Sequence, residues 1–264
     1  MVNRISFPGL KLDFMVDRVA FDIFGFDVYW YGLIIATGLI LAILYGIRES
    51  KKVGLNQDDL LNMILFAIPA SIICARLYYV IFSWDMYKDD ILSVFNIRNG
   101  GIAIYGGVIG ACLTVFLYCR KKSLSMGMVL DILAIGLLIG QCIGRWGNFV
   151  NGEAFGGETK LPWAMTIKNK GTVIADGVHP TFFYESLWNG IGIAVLLGYK
   201  KLFRFKGELF CGYMTWYGLG RFWIEGLRAD SLYIGDIRVS QLLALITIIA
   251  GLSIIIIGRK RNKS

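Results

Sequence analysis

Long apolar intervals separated by short clusters of basic residues set the pattern of this chain. Crossing about 30 Å of hydrocarbon as a helix takes roughly 20 apolar residues. Intervals of that kind recur seven times, over residues 28–47, 60–82, 100–119, 127–147, 182–199, 208–226 and 239–258. The first, third and seventh hold no Asp, Glu, Lys or Arg at all. The pattern predicts an all-α membrane protein, a polytopic bundle of seven transmembrane helices forming a single integral membrane domain over residues 1–264. Before the first interval, Asp13, Asp17, Arg18, Asp22 and Asp27 interrupt any apolar core that a cleavable signal would need. Residues 1–27 are therefore expected to be ordered at the membrane interface. The longest connection, 148–181, is expected to form a small cap between the fourth and fifth helices.

Basic residues orient the bundle, because cytoplasmic loops carry the excess of Lys and Arg. One set of connections holds Arg48, Lys51 and Lys52, then Arg120, Lys121 and Lys122, then Lys200, Lys201, Arg204 and Lys206, then Arg259, Lys260, Arg261 and Lys263. The other set holds more thinly spread charges, among them Lys88, Arg98, Lys160, Lys168 and Lys170. This asymmetry predicts an N-terminus outside and a C-terminus in the cytoplasm.

Composition agrees with that class. Hydrophobic residues make up 56% of the chain and charged ones only 17%, and the mean hydropathy is +0.61, beyond what soluble domains show. The net charge of +8 does not point to a nucleic-acid partner, since the basic residues are short clusters beside spans, where they set topology and meet anionic headgroups. Cys74, Cys112, Cys119, Cys142 and Cys211 all fall within the apolar intervals without metal-ligand spacing. They read as small packing residues.

Charged groups inside a bilayer are costly and by default mark a site. Arg76, Arg145 and Arg221 come late in outward-running spans, whereas Tyr31, Tyr105, Tyr184, Glu185 and Gln241 come early in inward-running ones. All lie in the outer half, a polar layer above an apolar floor. Arg76 taken alone also fits a side chain snorkelling to the interface. Arg221 and Glu225, four residues apart, could simply pair on one helix face, and Asp131 reads as a solvated helix-end residue. Arg145 and Arg221 sit instead among Asn, Glu and Tyr. Guanidinium grips phosphate bidentately, so such a pair points to an anionic headgroup such as that of a phospholipid. Residue chemistry alone stops at an outer-leaflet lipid enzyme or a carrier of an anionic lipid or solute.

The stretch "GRWGNFVNGEAFG", residues 144–156, resembles the signature of the prolipoprotein diacylglyceryl transferase family at every fixed position. "WYGL" at 30–33, "GGIAIYGG" at 100–107, "HPTFFYE" at 179–185 and "YGLGRFWIEGLRAD" at 217–230 extend the resemblance over nearly the whole chain. It implies a bacterial multi-pass enzyme of the cytoplasmic membrane, with its site facing the outer leaflet. The implied reaction moves the diacylglyceryl group of phosphatidylglycerol to the lipobox cysteine of a prolipoprotein signal peptide, leaving a thioether and glycerol phosphate. The implied site has Arg145 and Arg221 as essential arginines, surrounded by Tyr31, Asn148, Asn151, Glu153, Gly156 and Tyr217, with Glu225 and Arg228 at its edge. No metal or cofactor is implied.

One departure bears on the chemistry. Many members carry His-Gly-Gly where this chain has Tyr105-Gly106-Gly107, and a free phenol, ionising near pH 10, is a poor base at neutral pH. Tyr105 is thus expected either as the base or as a hydrogen-bonding contact. The only histidine, His179, is expected as a loop contact rather than the base. A substrate thiol, with an ordinary pKa of about 8.5, needs only modest help from a guanidinium to ionise. The arginines would then stabilise charge growing on the departing phosphate. A carrier built from the same arginines remains the rival, although carriers place their sites near the midplane and show internal repeats.

Overall fold

The computed structural model describes residues 2–96, 100–229 and 231–262. Arg98 and Lys263, two of the charges used to orient the chain, and Asp230 of the last quoted motif lie outside them. Seven α-helices occur among the described residues: α1 Trp30–Val53, α2 Gln57–Phe82, α3 Ile104–Lys121, α4 Met126–Asn151, α5 Thr181–Tyr199, α6 Glu208–Leu227 and α7 Val239–Arg261. Five of them, α1, α2, α3, α4 and α7, are long and apolar enough to cross a membrane. α5 and α6 fall short in apolarity, carrying Glu185 and Asn189 in one and Glu208, Arg221 and Glu225 in the other. The protein is mostly helical, as expected.

It is not all-α. The leader supplies β1 Val2–Phe7, β2 Leu12–Asp17, β3 Val19–Ile23 and β4 Phe26–Tyr29, and the long connection supplies β5 Met165–Asn169 and β6 Thr172–Val178. A short hairpin, β7 Tyr233–Ile234 and β8 Ile237–Arg238, precedes α7. Four strands make one antiparallel sheet in the order β2-β1-β5-β6. Thus leader and cap are one structure. β1 alternates in burial, with Asn3 and Ile5 inward and Val2 and Arg4 outward, but an asparagine among the inward positions breaks the apolar alternation that would announce a strand. Ile5, Met165, Ile167, Ala175, Val178 and Phe182 form the buried core under this sheet.

The chain forms two compact units, residues 1–46 with 130–264, and residues 47–129. In the first, the leader seals the end of α4. Buried Asn3 donates its Nδ2 to Val150 O at 3.1 Å, and Arg18 donates Nη2 to Asn151 O at 2.7 Å. These satisfy carbonyls that a helix C-terminus leaves without intrahelical partners. Gly152, at φ +64°, turns the chain away there. At the other end of the unit Asp131 is no solvated end residue. It accepts from the backbone of Gly207 at 2.6 Å and Phe210 at 2.9 Å, satisfying donors in the first turn of α6. Glu208, fully buried, binds Tyr199 OH, Arg204 N and Arg259 Nε, each at 2.6 Å.

α5 and α6 are locked by a reciprocal pair of tryptophans. Trp188 Nε1 donates to Trp216 O at 2.9 Å, and Trp216 Nε1 donates to Trp188 O at 3.0 Å. Their rings stack with centroids 4.6 Å apart. Each indole lies flat on a glycine of the facing helix, Gly220 under Trp188 and Gly192 under Trp216, where an added Cβ would meet the ring at 2.3 Å.

In the second unit Arg76 does not snorkel, and among the described residues it pairs with no carboxylate. It is buried and donates to the carbonyls of Ser93, Val94, Asn96, Gly100 and Gly101 at 2.7 to 3.2 Å. Its guanidinium folds the connection between α2 and α3 back onto α2, so its role is structural.

Candidate active site

The last turns of α4 carry most of the signature. Arg145, Asn148 and Asn151 recur at i, i+3 and i+6, which aligns them along one side of the helix. Arg145 Nη1 donates to Asn148 Oδ1 at 3.3 Å. Asn148 and Asn151 in turn donate to Glu153 Oε1 at 3.0 and 3.2 Å. Glu153 therefore holds both amides in one orientation. Tyr31, in the first turn of α1, lies against α4 where Gly147 leaves room: a Cβ there would meet the Tyr31 ring at 2.7 Å.

The centre of the arrangement is Glu185, in the first turns of α5 and 5% exposed in its side chain. Its Oε2 pairs with Arg145 Nη2. Its Oε1 accepts from Arg221 Nη1 at 3.2 Å and lies 3.6 Å from Arg228 Nη1. One carboxylate thus gathers three guanidiniums from α4, from α6 and from the residue just past its end. Glu225, 2% exposed, adds a second anion: its Oε2 is 2.6 Å from Arg221 Nη2 and 3.9 Å from Arg228 Nε. That Oε2 accepts no aligned hydrogen bond, so the contact with Arg221 is ionic rather than a directed bond. Arg221 and Glu225 do pair on one helix face, as their spacing allowed, but within a cluster shared by α4 and α5. Charges this buried must be paired to be tolerated. The Arg145 and Arg221 side chains nevertheless stay 24% and 19% exposed, so neither is sealed off from a ligand.

Gly156 acts through the backbone. Its N–H donates to His179 O at 2.9 Å, the neighbouring Gly157 N–H donates to Leu227 O at 2.7 Å, and Gly156 bridges to Arg228. A Cβ on Gly156 would meet both His179 Cβ and Leu227 O at 2.7 Å. Only glycine lets this loop run against the end of α6, where Arg228 leaves the helix. Tyr217 lies one turn before Arg221, its ring stacked on Tyr213 at 5.9 Å. It lines a small recess with Glu185, Asn189, Gly220 and Arg221.

His179 is a loop contact. Its backbone pairs with Gly156 and Gly157, its Nδ1 lies 3.2 Å from Tyr184 OH, and burial pulls its pKa below the ordinary value. Gln241 donates to Phe222 O at 2.9 Å. Tyr105 belongs to the second unit, in the first turn of α3, with its ring 6.4 Å from that of Tyr78.

The structure brings Arg145, Asn148, Asn151, Glu153, Arg221, Glu225 and Arg228 together through direct contacts. Sequence reasoning left the hub out of the site. Glu185 closes the "HPTFFYE" motif and belongs to the expected polar layer, so that motif was the available signal. Asn3 and Arg18 gave no such signal, being ordinary leader residues.

The chain matches the family model described as prolipoprotein diacylglyceryl transferase over residues 18–257. It is 45% identical over 252 residues to a phosphatidylglycerol–prolipoprotein diacylglyceryl transferase of Clostridioides difficile, covering 94% of this chain and 98% of that protein. Proteins of the same name in Finegoldia magna and Lysinibacillus sphaericus are 47% and 46% identical, over 89% and 94% of this chain and 93% and 94% of theirs.

Proposed function

The chain belongs to the prolipoprotein diacylglyceryl transferase family, and from that premise we propose its reaction and the roles of its residues. The protein is a multi-pass membrane enzyme. It transfers the diacylglyceryl group of phosphatidylglycerol to prolipoproteins, the first step of lipoprotein maturation. A carrier for an anionic lipid or solute is not favoured, since the relatives named above are transferases.

The observation that carries the mechanism is the convergence of Arg145 and Arg221 on the two oxygens of one buried carboxylate, Glu185. Two forks spaced by a single carboxylate match what one phosphate bridging them requires. The headgroup phosphate of phosphatidylglycerol docks on their open faces, beside Asn148, Asn151, Glu153 and Tyr31. Gly156 and Tyr217 shape the wall, and Glu225 and Arg228 set the charge at its edge. The lipobox cysteine loses its proton, and its thiolate attacks the glycerol carbon bearing the phosphate ester. A C–S bond forms, the C–O bond breaks, and its electron pair leaves with glycerol phosphate. Negative charge grows on that leaving group, where preorganised guanidiniums in a water-poor pocket stabilise the transition state more than the ground state.

All seven helices span the membrane, with the N-terminus outside, the C-terminus in the cytoplasm and the arginine cluster at the outer leaflet. The basic clusters at 48–52, 120–122, 200–206 and 259–263 support that orientation. They meet lipid headgroups and not nucleic acid. Tyr105 contributes a hydrogen bond rather than serving as obligatory base.

The test is transfer from labelled phosphatidylglycerol to a lipobox peptide by purified protein. Label on the cysteine is expected with the wild type and not with a peptide carrying serine there; label on neither would refute the activity. In the same assay Tyr105→Phe should lose only what one neutral hydrogen bond supplies, roughly 2- to 13-fold. A loss of several thousandfold at every pH from 6.5 to 9 would instead make Tyr105 the base.

A further inference from the structure

The first unit contains a cavity of about 580 Å³ that none of these roles uses. Leu12 and Phe14 of β2 line it from the sheet, Trp146 and Phe149 from the last turns of α4, and Phe183 and Leu187 from α5. The polar ends of its aromatic walls are spent elsewhere. Trp146 Nε1 donates to Ser186 Oγ at 3.1 Å, and Trp163 Nε1 donates to Tyr184 OH at 2.7 Å.

The cavity adjoins the arginine cluster on the same two helix ends. Trp146 follows Arg145 in α4, and Tyr184, also in the lining, precedes Glu185 in α5. A step of one residue turns a helix by about 100°, so the ionic cluster and the apolar cavity occupy neighbouring faces. An occupant that reaches both must be anionic at one end and apolar along the other.

Two components of the reaction are apolar over such a length, the acyl chains of the lipid and the apolar segment of a signal peptide. The walls discriminate between them. Leu12 and Phe14 lie two apart on β2, so this edge strand of the sheet turns both side chains to the cavity. The α4 and α5 backbones are satisfied within their own helices or, at the end of α4, by Asn3 and Arg18. An extended peptide placed there would strand its N–H and C=O groups, and a helix, about 10 Å across, would fit only roughly five residues in that volume, whereas a hydrocarbon chain has no such groups to satisfy. The volume lies in the range usual for mostly apolar ligand sites.

We propose that this cavity holds one acyl chain of phosphatidylglycerol while the headgroup phosphate rests on Arg145 and Arg221. This assignment rests on the transferase reading above. It gives the enzyme a chain-length ruler separate from its phosphate site. It also fixes the glycerol from two directions, which aligns the carbon under attack.

Leu187 is half-exposed and leaves α5 about 200° round the helix from Glu185, so Leu187→Trp should shorten the cavity without touching the cluster. With purified full-length protein and a lipobox peptide, the variant should raise KM for dipalmitoyl phosphatidylglycerol about tenfold. That is the size expected when even two methylenes lose their burial. KM for the dihexanoyl lipid should stay within about twofold of wild type. Equal changes for both lipids, or none for either, would overturn the proposal. Independently of turnover, phosphatidylglycerol with a diazirine at one chain end should label segments 7–14 and 182–187 of the wild-type protein. Labelling confined elsewhere would overturn it, as would labelling of these segments only by a diazirine in the peptide's apolar stretch. Wild-type protein that transfers nothing would sink the transferase reading, and the photolabelling would still decide what the cavity holds.

Discussion

At the scale of single residues, the fork shape of guanidinium matters as much as its charge. Arg145 and Arg221 are anchored on Glu185 yet remain partly exposed, and lysine offers a point charge that cannot both hold that carboxylate and grip a phosphate as a fork does. Arg145→Lys and Arg221→Lys are each expected to lower kcat/KM by roughly 10- to 150-fold, the size of one hydrogen bond to a charged group. Near wild-type transfer by both would end the phosphate-clamp role. Glu185→Gln probes the opposite charge. Removing the hub's charge takes from Arg145 and Arg221 the carboxylate they share, and breaking a buried pair from one side typically costs about 3–5 kcal/mol. Its thermal unfolding midpoint should fall by several degrees, and saturating phosphatidylglycerol should restore part of the loss by supplying the missing anion. An unchanged midpoint, with or without lipid, would show that Glu185 is not the counterion that holds the cluster.

At the scale of elements, the site depends on how closely α5 approaches α6. Trp188 and Trp216 set that approach by exchanging hydrogen bonds across two glycines. Gly220→Ala places a methyl 2.3 Å from the Trp188 ring. Relief requires the helices to separate or the indole to leave its rotamer, an overpacking cost of about 1–3 kcal/mol. The substitution lies one residue from Arg221, so it should draw that side chain away from Glu185. A stability loss of that size, a shifted tryptophan emission and slower transfer are expected together. A variant with wild-type emission and rate would mean that the tryptophan pair does not set the site.

At the scale of the whole molecule, orientation is the property to test. In a cysteine-free background, a membrane-impermeant maleimide applied from outside should label a cysteine at Val173, half-exposed in β6, and not one at Phe203, half-exposed after α5. The reverse pattern would invert the topology. Both positions are open, so failure to react reports the side of the membrane rather than burial.

What the residues determined by themselves was local or additive. Helix positions followed from apolar length, because the cost of leaving backbone groups unmet in lipid leaves few alternatives to a helix. α4 could be placed to within four residues of its end, and the arginines could be named because charge in an apolar interval is conspicuous. Tertiary structure decided what depended on partners far apart in the chain. The leader's short alternating stretches became a sheet only by pairing with β5, more than 150 residues away. Asp131, solvated by appearance, was recruited by the first turn of α6, and Arg76 by five carbonyls of its own connection. Glu185 became the hub only when α5 was clamped to α6 and laid beside α4. A carboxylate's role is set by which cations share its low-dielectric surroundings, and that is a property of packing rather than of its neighbours in sequence.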